Sequence, residues 1–122
     1  MFLQLAHTKT AIFKQSQDLT LACYILTKHF PPDEKFAMIS QIRRAGVSVH
    51  LNLAEGCSRK SANERKRFFE IARGSVIEID AALGIAFELK YCDMDSLKDV
   101  GNLLISNFKQ LTALIKTNSD QI

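Results

Sequence analysis

The stretch from Gln41 to Lys90 reads QIRRAGVSVHLNLAEGCSRKSANERKRFFEIARGSVIEIDAALGIAFELK. It contains two amphipathic segments separated by a short polar break, CSRK, at residues 57–60. On both sides of this break, apolar and small residues recur at steps of three or four, which is the period of one face of an α-helix. The stretch therefore predicts the end of one long helix, a tight turn and the start of a second long helix.

Three residues predict where these helices end and begin. Gly56 is the predicted C-terminal stop of the earlier helix, because glycine adopts the left-handed conformation at little cost. Ser61 and Glu64 have the spacing of a capping box, so the later helix is predicted to begin just after Ser61. No proline follows, and this helix can therefore continue to about residue 91.

The flanking sequence adds one helix on each side. Upstream, apolar or small residues repeat with helical spacing until Pro31-Pro32 stops the pattern. Downstream, Asp93 or Asp95 can cap a last amphipathic segment. No segment alternates with the two-residue period of a strand for long enough to compete. The sequence predicts an all-α, antiparallel up-and-down four-helix bundle, a single domain over residues 1–122 with helices at about 8–30, 34–55, 62–91 and 95–117.

The composition is that of an ordinary globular domain. The 122 residues are 47% hydrophobic and 24% charged, which argues against disorder and allows one core. The three cysteines are widely spaced and indicate neither a disulfide framework nor a CxxC metal site. The apolar run at the start is brief and soon meets Lys9 and Lys14, unlike a signal peptide or a membrane span. We therefore expect a cytoplasmic protein that does not contact membranes.

Positive charge is concentrated in the middle of the chain. Residues 43–73 contain eight of the 16 Lys and Arg residues but three of the 13 acids. Cations grouped at a helix junction can neutralise the phosphates of RNA or DNA without reading its bases. A solvated helix face is the alternative explanation of the same cluster. The candidate nucleic-acid-binding residues are Arg43, Arg44, Arg59, Lys60, Arg65, Lys66 and Arg67.

The long third helix also predicts self-association. At 100° per residue, several of its large apolar side chains lie far from the predicted core face, with small residues between them. A lone bundle would expose these side chains to water, so they predict a second buried surface between copies of the chain. The candidate interface residues are Ile71, Gly74, Ile77, Ile85 and Leu89.

The sequence contains no recognisable catalytic constellation. His7, His29 and His50 are far apart, and none belongs to the ExxH pair of a di-iron bundle. No serine has the context of a nucleophile, and no glycine-rich phosphate loop precedes a helix. We therefore expect a protein without enzymatic activity, a metal ion or a cofactor.

A polar stripe on the second helix predicts a structural network. Glu55 lies near the C-terminus of that helix, where its charge opposes the helix dipole and calls for a cationic partner. Arg44, Arg59 and Arg73 are the candidate partners. The network is predicted to consist of Asn52, Glu55 and Arg73.

Three blocks of the chain resemble a known family. They are Gln41-x-Arg43-Arg44-Ala45, Val47-Ser48-x-x-x-Asn52-Leu53-Ala54-Glu55-Gly56 and Phe68-x-x-x-Ala72-Arg73-Gly74-Ser75-x-x-Glu78. The chain is similar, from about residue 12 to 116, to the family named for the protein encoded in intervening sequences of bacterial 23S rRNA. This resemblance implies an up-and-down four-helix bundle that assembles into a ring, typically a homopentamer. The chain also resembles the accessory variability protein of diversity-generating retroelements, which implies nucleic-acid binding and a reverse transcriptase as a protein partner.

Two hypotheses for the function remain open at this point. The first is a non-enzymatic homo-oligomeric bundle that binds RNA or DNA through its basic patch by charge and shape. The second is an assembly or adaptor module that docks a protein partner and whose charge only keeps it soluble.

Overall fold

The structure, a computed structural model, describes residues 1–122 and contains four α-helices and no strand. The helices are α1 (Ala11–Thr27), α2 (Met38–Ser58), α3 (Ala62–Glu88) and α4 (Met94–Ser119). Short 3₁₀ turns precede α1 and α2, at Ala6–Lys9 and Pro32–Glu34. The predicted all-α four-helix bundle is confirmed. No helix of this bundle combines the length and the apolar character that a membrane span requires.

Contacts between side chains show that neighbouring helices run antiparallel. Between α1 and α2, Ser16 Oγ lies 2.7 Å from His50 Nδ1, and one turn later Thr20 Oγ1 donates to the Gly46 carbonyl at 2.8 Å. The other neighbours show the same reversed order: Gln41 pairs with Glu78 and Ser48 with Ser75 between α2 and α3, and Arg65 pairs with Asn118 and Arg73 with Thr112 between α3 and α4. Gln15 of α1 closes the ring of helices by bonding Ser106 and Gln110 of α4.

A single core of 20 buried hydrophobic residues runs along the bundle. Its large, fully buried members come from all four helices: Leu19, Ile42, Leu53, Ile79 and Leu111. Helical periodicity predicts that these positions are buried, but it predicts more burial than the structure shows at two others. Phe87 and Phe108 have the same helical spacing as the core residues Leu83, Leu104 and Leu111, yet they are 38% and 40% exposed. Both lie at the margin of their helix's apolar face, which the neighbouring helix does not fully cover.

Gly56 does not end α2, contrary to the prediction. No glycine of the chain has a positive φ, and α2 continues to Ser58. A Cβ added at Gly56 would lie 2.7 Å from Cε1 of Phe69, which is itself only 2% exposed. Glycine is therefore needed here for the close approach of α2 to α3 rather than for a reversal of the chain.

The connection between α1 and α2 is longer than the periodicity predicts, because α1 ends earlier and α2 begins later. α1 ends at Thr27, and α2 begins at Met38 rather than near residue 34. The residues between them include the separate 3₁₀ turn Pro32–Glu34, which is followed by an irregular conformation at Ala37 (φ −120°, ψ −101°). Asp33 and Glu34, whose negative charges suit a helix N-terminus, belong to this turn instead of α2.

Side-chain caps begin α3 and α4. The Glu64 amide donates to Ser61 Oγ at 3.1 Å, as the capping box predicts. At α4 the cap is Asp93 rather than Asp95: the Ser96 amide donates to Asp93 Oδ1 at 2.8 Å, and the Asp93 amide donates to Ser96 Oγ at 3.1 Å. Hydrogen bonds from the amide and hydroxyl of Ser96 hold the pKa of Asp93 below its usual value.

A Schellman motif ends α3 at Glu88, three residues before the predicted end. The Lys90 amide donates to the Phe87 carbonyl and the Tyr91 amide donates to the Ala86 carbonyl, each at 2.9 Å. Lys90 has a φ of 64°, the only positive φ outside glycine. The reversal directs the chain towards α4 after one short loop.

Candidate nucleic-acid interface

The seven predicted nucleic-acid-binding residues lie at two ends of α2 rather than in one patch. Arg43 and Arg44 belong to the first turns of α2, whereas Arg59 follows its last residue. The roughly 15 residues between Arg44 and Arg59 separate the two groups by about 22 Å along the helix. We call the group at residues 59–67, around the turn between α2 and α3, the basic junction.

Three cations of the basic junction have no partner within the chain. The side chains of Lys60, Lys66 and Arg67 form no hydrogen bond and no salt bridge, since the three ion pairs of the structure all lie elsewhere. Lys60 and Arg67 are exposed, and Lys66 is half-buried. These side chains can reach an incoming phosphate without first breaking an intramolecular bond.

Arg59 is partly engaged at the same junction. Its Nη2 lies 3.4 Å from Glu55 Oε2, and its guanidinium lies 5.0 Å from the centroid of the Phe68 ring. The two side chains of the ion pair are 40% and 50% exposed, so the pair adds little to stability. Among the predicted partners of Glu55, the structure selects Arg59.

Arg65 is engaged in hydrogen bonds within the chain, and its role as a phosphate contact stays a prediction. Its Nε donates to Asn118 Oδ1 at 2.8 Å, and its Nη2 donates to Gln121 Oε1 at 3.0 Å. Its Nη1 also donates to the main-chain carbonyls of Lys60 and, at 3.3 Å, of Arg59. The guanidinium thus ties the turn of the basic junction to the end of α4.

The predicted network of Asn52, Glu55 and Arg73 does not form. Asn52 Nδ2 donates within α2, to the carbonyl of Ser48 at 2.9 Å and to its Oγ at 3.0 Å. Arg73 Nη1 instead donates to Thr112 Oγ1 of α4 at 3.3 Å. The prediction is wrong because α3 packs between α2 and α4, and Arg73 lies on its α4 side.

A second charged surface lies at the other end of α2. It is a groove of about 470 Å³ between the end of α1, the turn before α2 and the first turns of α2. We call it the aromatic groove, and it is lined by Tyr24, Lys35, Phe36, Ile39, Ser40, Arg43, Arg44 and Val47. Sequence reasoning missed Tyr24 and Phe36, because they lie outside the basic segment. The exposure of Phe36 could not be predicted, because the predicted helix 34–55 includes it.

The predicted interface residues are uncovered in a single copy of the chain. Ile71, Ile77, Ile85 and Leu89 are between 43% and 56% exposed. A Cβ added at Gly74 would meet no atom within 4 Å, so the helix surface is open there. These residues leave an apolar strip along the outside of α3.

Ile77 also lines a separate apolar groove between α3 and α4. This groove has a volume of about 300 Å³, and Ile105 and Phe108 contribute to it from α4. Asp80 and Lys109 also line it. The outer side of the bundle therefore has two neighbouring apolar surfaces.

The cysteines and the other side chains that could bind a metal ion are dispersed over the bundle. No three His, Cys, Asp or Glu side chains converge as metal ligands would. All three cysteines are free, and burial raises the pKa of Cys23 to about 12. Burial also raises the pKa of Cys57, so these thiols stay protonated at neutral pH.

Comparison with known proteins gives a family and a fold. Residues 8–113 match the family model described as 23S rRNA-intervening sequence protein. A solved structure of a protein with unknown function, from the S23 ribosomal protein family of Bacteroides thetaiotaomicron VPI-5482, is similar with a TM-score of 0.78. It is 20% identical, and the likeness covers 87% of this chain and 99% of that one, which supports the fold alone. No curated protein matches the sequence significantly.

Proposed function

The chain belongs to the 23S rRNA-intervening sequence protein family, and from this premise we propose that it is a non-enzymatic homo-oligomeric bundle that binds RNA or DNA by charge and shape. The observation that carries the proposal is the set of unpaired cations at the basic junction, Lys60, Lys66 and Arg67. Such side chains suit contact with phosphates, which are recognised mainly through charge.

The surroundings of these cations favour the same function. Of the nearby acids, Glu55 is paired with Arg59, Glu64 Oε1 lies 3.4 Å from Ser61 Oγ, and Glu70 forms no ion pair. Arg65 holds the backbone of the turn through its bonds to α4. Lys60 thus lies on a turn that Arg65 holds in place, while Lys66 and Arg67 lie in the first two turns of α3.

Self-association would strengthen such binding. The apolar strip on α3, with Ile71, Ile85 and Leu89, supports a homo-oligomer, and a ring such as a pentamer is our proposal for its form. Each copy would add one basic junction to the assembly. Several weak contacts to one polyanion then raise the overall affinity through their effective concentration.

The test is the salt dependence of duplex binding, measured as the fluorescence anisotropy of a labelled DNA duplex of about 20 base pairs. Replacing Lys60→Ala together with Arg67→Ala removes two phosphate contacts. We expect roughly tenfold weaker binding at low salt and a slope of log affinity against log salt that is shallower by about 1.8. Arg59 is left intact, since its replacement would also disturb Glu55.

A matched control removes the same charge from another part of the surface. Lys98→Ala with Lys109→Ala takes two exposed cations from α4, and we expect the slope to stay unchanged. Equal losses in both double variants, or a wild-type protein that does not bind the duplex, would contradict the proposal.

A second candidate function is a protein assembly or adaptor module. The apolar groove of α3 and α4, with Ile77, Ile105 and Phe108, is the observation that favours it. A reverse transcriptase is the partner that the likeness to the retroelement protein implies. Pull-down from nuclease-treated lysate, with Ile105→Asp as the control, distinguishes this candidate: it requires a protein that the wild type retains and the variant loses.

A further inference from the structure

Phe36 presents an aromatic ring to solvent from an ordered turn. The side chain is 90% exposed and lies between the 3₁₀ turn Pro32–Glu34 and α2. The Lys35 amide donates to the Pro32 carbonyl, and the Ala37 amide donates to the Glu34 carbonyl, each at 3.1 Å. The Lys35 ammonium lies 5.5 Å from the ring centroid. Phe36 contributes nothing to the core, so its large apolar ring is free to contact a ligand.

Tyr24 contributes a second ring, with a cation fixed beside it. The Arg43 guanidinium lies 4.8 Å from the centroid of the Tyr24 ring, which is 39% exposed. Arg43 Nε donates to Thr27 Oγ1 at 2.9 Å, and Nη2 donates to the Tyr24 carbonyl at 3.3 Å. These bonds hold the guanidinium against α1, so its charge stays in the aromatic groove.

All charged side chains that line the aromatic groove are cations: Lys35, Arg43 and Arg44. No carboxylate lines it, and the exposed side chains of Arg44 and Lys35 form no hydrogen bond or salt bridge. The acids nearest in sequence, Asp33 and Glu34, do not line it. An anion can therefore enter the groove without meeting a negative group on its lining.

Exposed aromatic rings among cations are the features that bind single-stranded nucleic acids. The bases of a single strand stack on the rings while Lys and Arg follow its phosphates. The bases of a duplex are already stacked on one another and cannot occupy such a ring. We propose that the aromatic groove binds single-stranded RNA or DNA, with a base on Phe36 and a phosphate beside Arg44. This inference rests on the proposed function and specifies the form of nucleic acid that the protein prefers.

A fluorescence experiment tests stacking directly. The chain has no Trp, so Phe36→Trp places a single indole in the groove, whose emission a stacked base quenches. We expect quenching by a pyrimidine single strand of about 12 nucleotides, a length that spans one stacking platform, and none by a duplex of that length. Phe108→Trp, at a half-exposed ring on α4, is the matched reporter and should respond to neither.

Affinity measurements with the same probes provide the second test. Phe36→Ala should weaken single-strand binding roughly 5-fold to 100-fold and leave duplex binding unchanged. Phe36→Tyr keeps an aromatic face and should retain the affinity. Because the ring is exposed, all of these variants should keep the helical content of the wild type, which circular dichroism checks.

The outcomes separate this inference from the proposed function. Equal quenching of both Trp reporters, or a Phe36→Ala variant with unchanged single-strand affinity, would overturn the stacking site while duplex binding through Lys60 and Arg67 still stands. A Phe36→Ala variant that changes the mass in solution would also overturn it, since Phe36 would then lie between copies. A wild-type protein that binds neither probe would end both proposals.

Discussion

Because Gly56 has no side chain, α2 packs directly against the ring of Phe69 at this position. A methyl group there would lie 2.7 Å and 2.9 Å from two ring carbons, and the buried ring has little room to move. We expect Gly56→Ala to lower the free energy of unfolding by about 1–3 kcal/mol, although alanine has the better helix propensity. Urea denaturation measures the change.

Gly101→Ala is the control for this substitution. Gly101 lies inside α4, and an added Cβ would meet nothing within 4 Å. Helix propensity alone should then act, raising the free energy of unfolding by up to about 1 kcal/mol. Opposite signs for the two variants are the expected result, and stabilisation by Gly56→Ala would contradict the role assigned to Gly56.

His50 gives the stability of the bundle a dependence on pH. Its ring lies 4.5 Å from that of Phe13, and burial, followed by the charge of His7, lowers its pKa. The unfolded chain then binds the proton more readily than the folded one. The contribution of neutral His50 to the free energy of unfolding is fully present above the unfolded pKa of about 6.5. It falls as the pH drops through that value towards the lower folded pKa.

The measurement compares urea unfolding at about pH 7.5 and about pH 5.5 in the wild type and in His50→Gln. We expect the fall in stability between these two values to be smaller in His50→Gln than in the wild type. His29→Gln, which alters an exposed histidine, should keep the full wild-type fall. Identical pH profiles for the wild type and His50→Gln would show that another group is responsible.

At the scale of elements, the sequence predicts which face of each helix is apolar but not which neighbour that helix will face. The capping box at Ser61 is local, so its signal is complete within four residues. The bonds of Arg65 depend on Asn118, 53 positions away, and no local pattern indicates such a pair.

The backbone conformation of Lys90 lowers the stability of the fold, and a substitution at this position can raise it. Lys90 has the left-handed conformation that ends α3, which costs an L-residue roughly 1 kcal/mol and glycine much less. We expect Lys90→Gly to raise the free energy of unfolding by up to about 1 kcal/mol. Glu88→Gly, at the last helical residue of α3, should have the opposite effect by about as much. Thermal unfolding of both variants measures the contrast, and destabilisation by Lys90→Gly would contradict it.

At the scale of the whole molecule, the bundle closes its core but leaves the apolar strip on α3 open. We expect the wild type to be oligomeric, and Ile71→Asp with Ile85→Asp to reduce its mass to that of one chain, 13.7 kDa. Light scattering after gel filtration measures the mass. The control, Leu21→Asp with Ile25→Asp, alters side chains of α1 that are 53% and 61% exposed and should leave the assembly intact. A monomeric wild type would rule out the proposed interface.

The guanidinium of Arg65 connects two parts of the chain that would otherwise open independently. It bonds the main-chain carbonyl of Lys60 on one side and Asn118 and Gln121 on the other. Local opening of the last turn of α4 therefore also releases the loop that contains Lys60. Backbone amides in both places should exchange their hydrogens with deuterated solvent as one cooperative unit, and a polyanion seated on the loop would slow that exchange at the distant C-terminal turn as well.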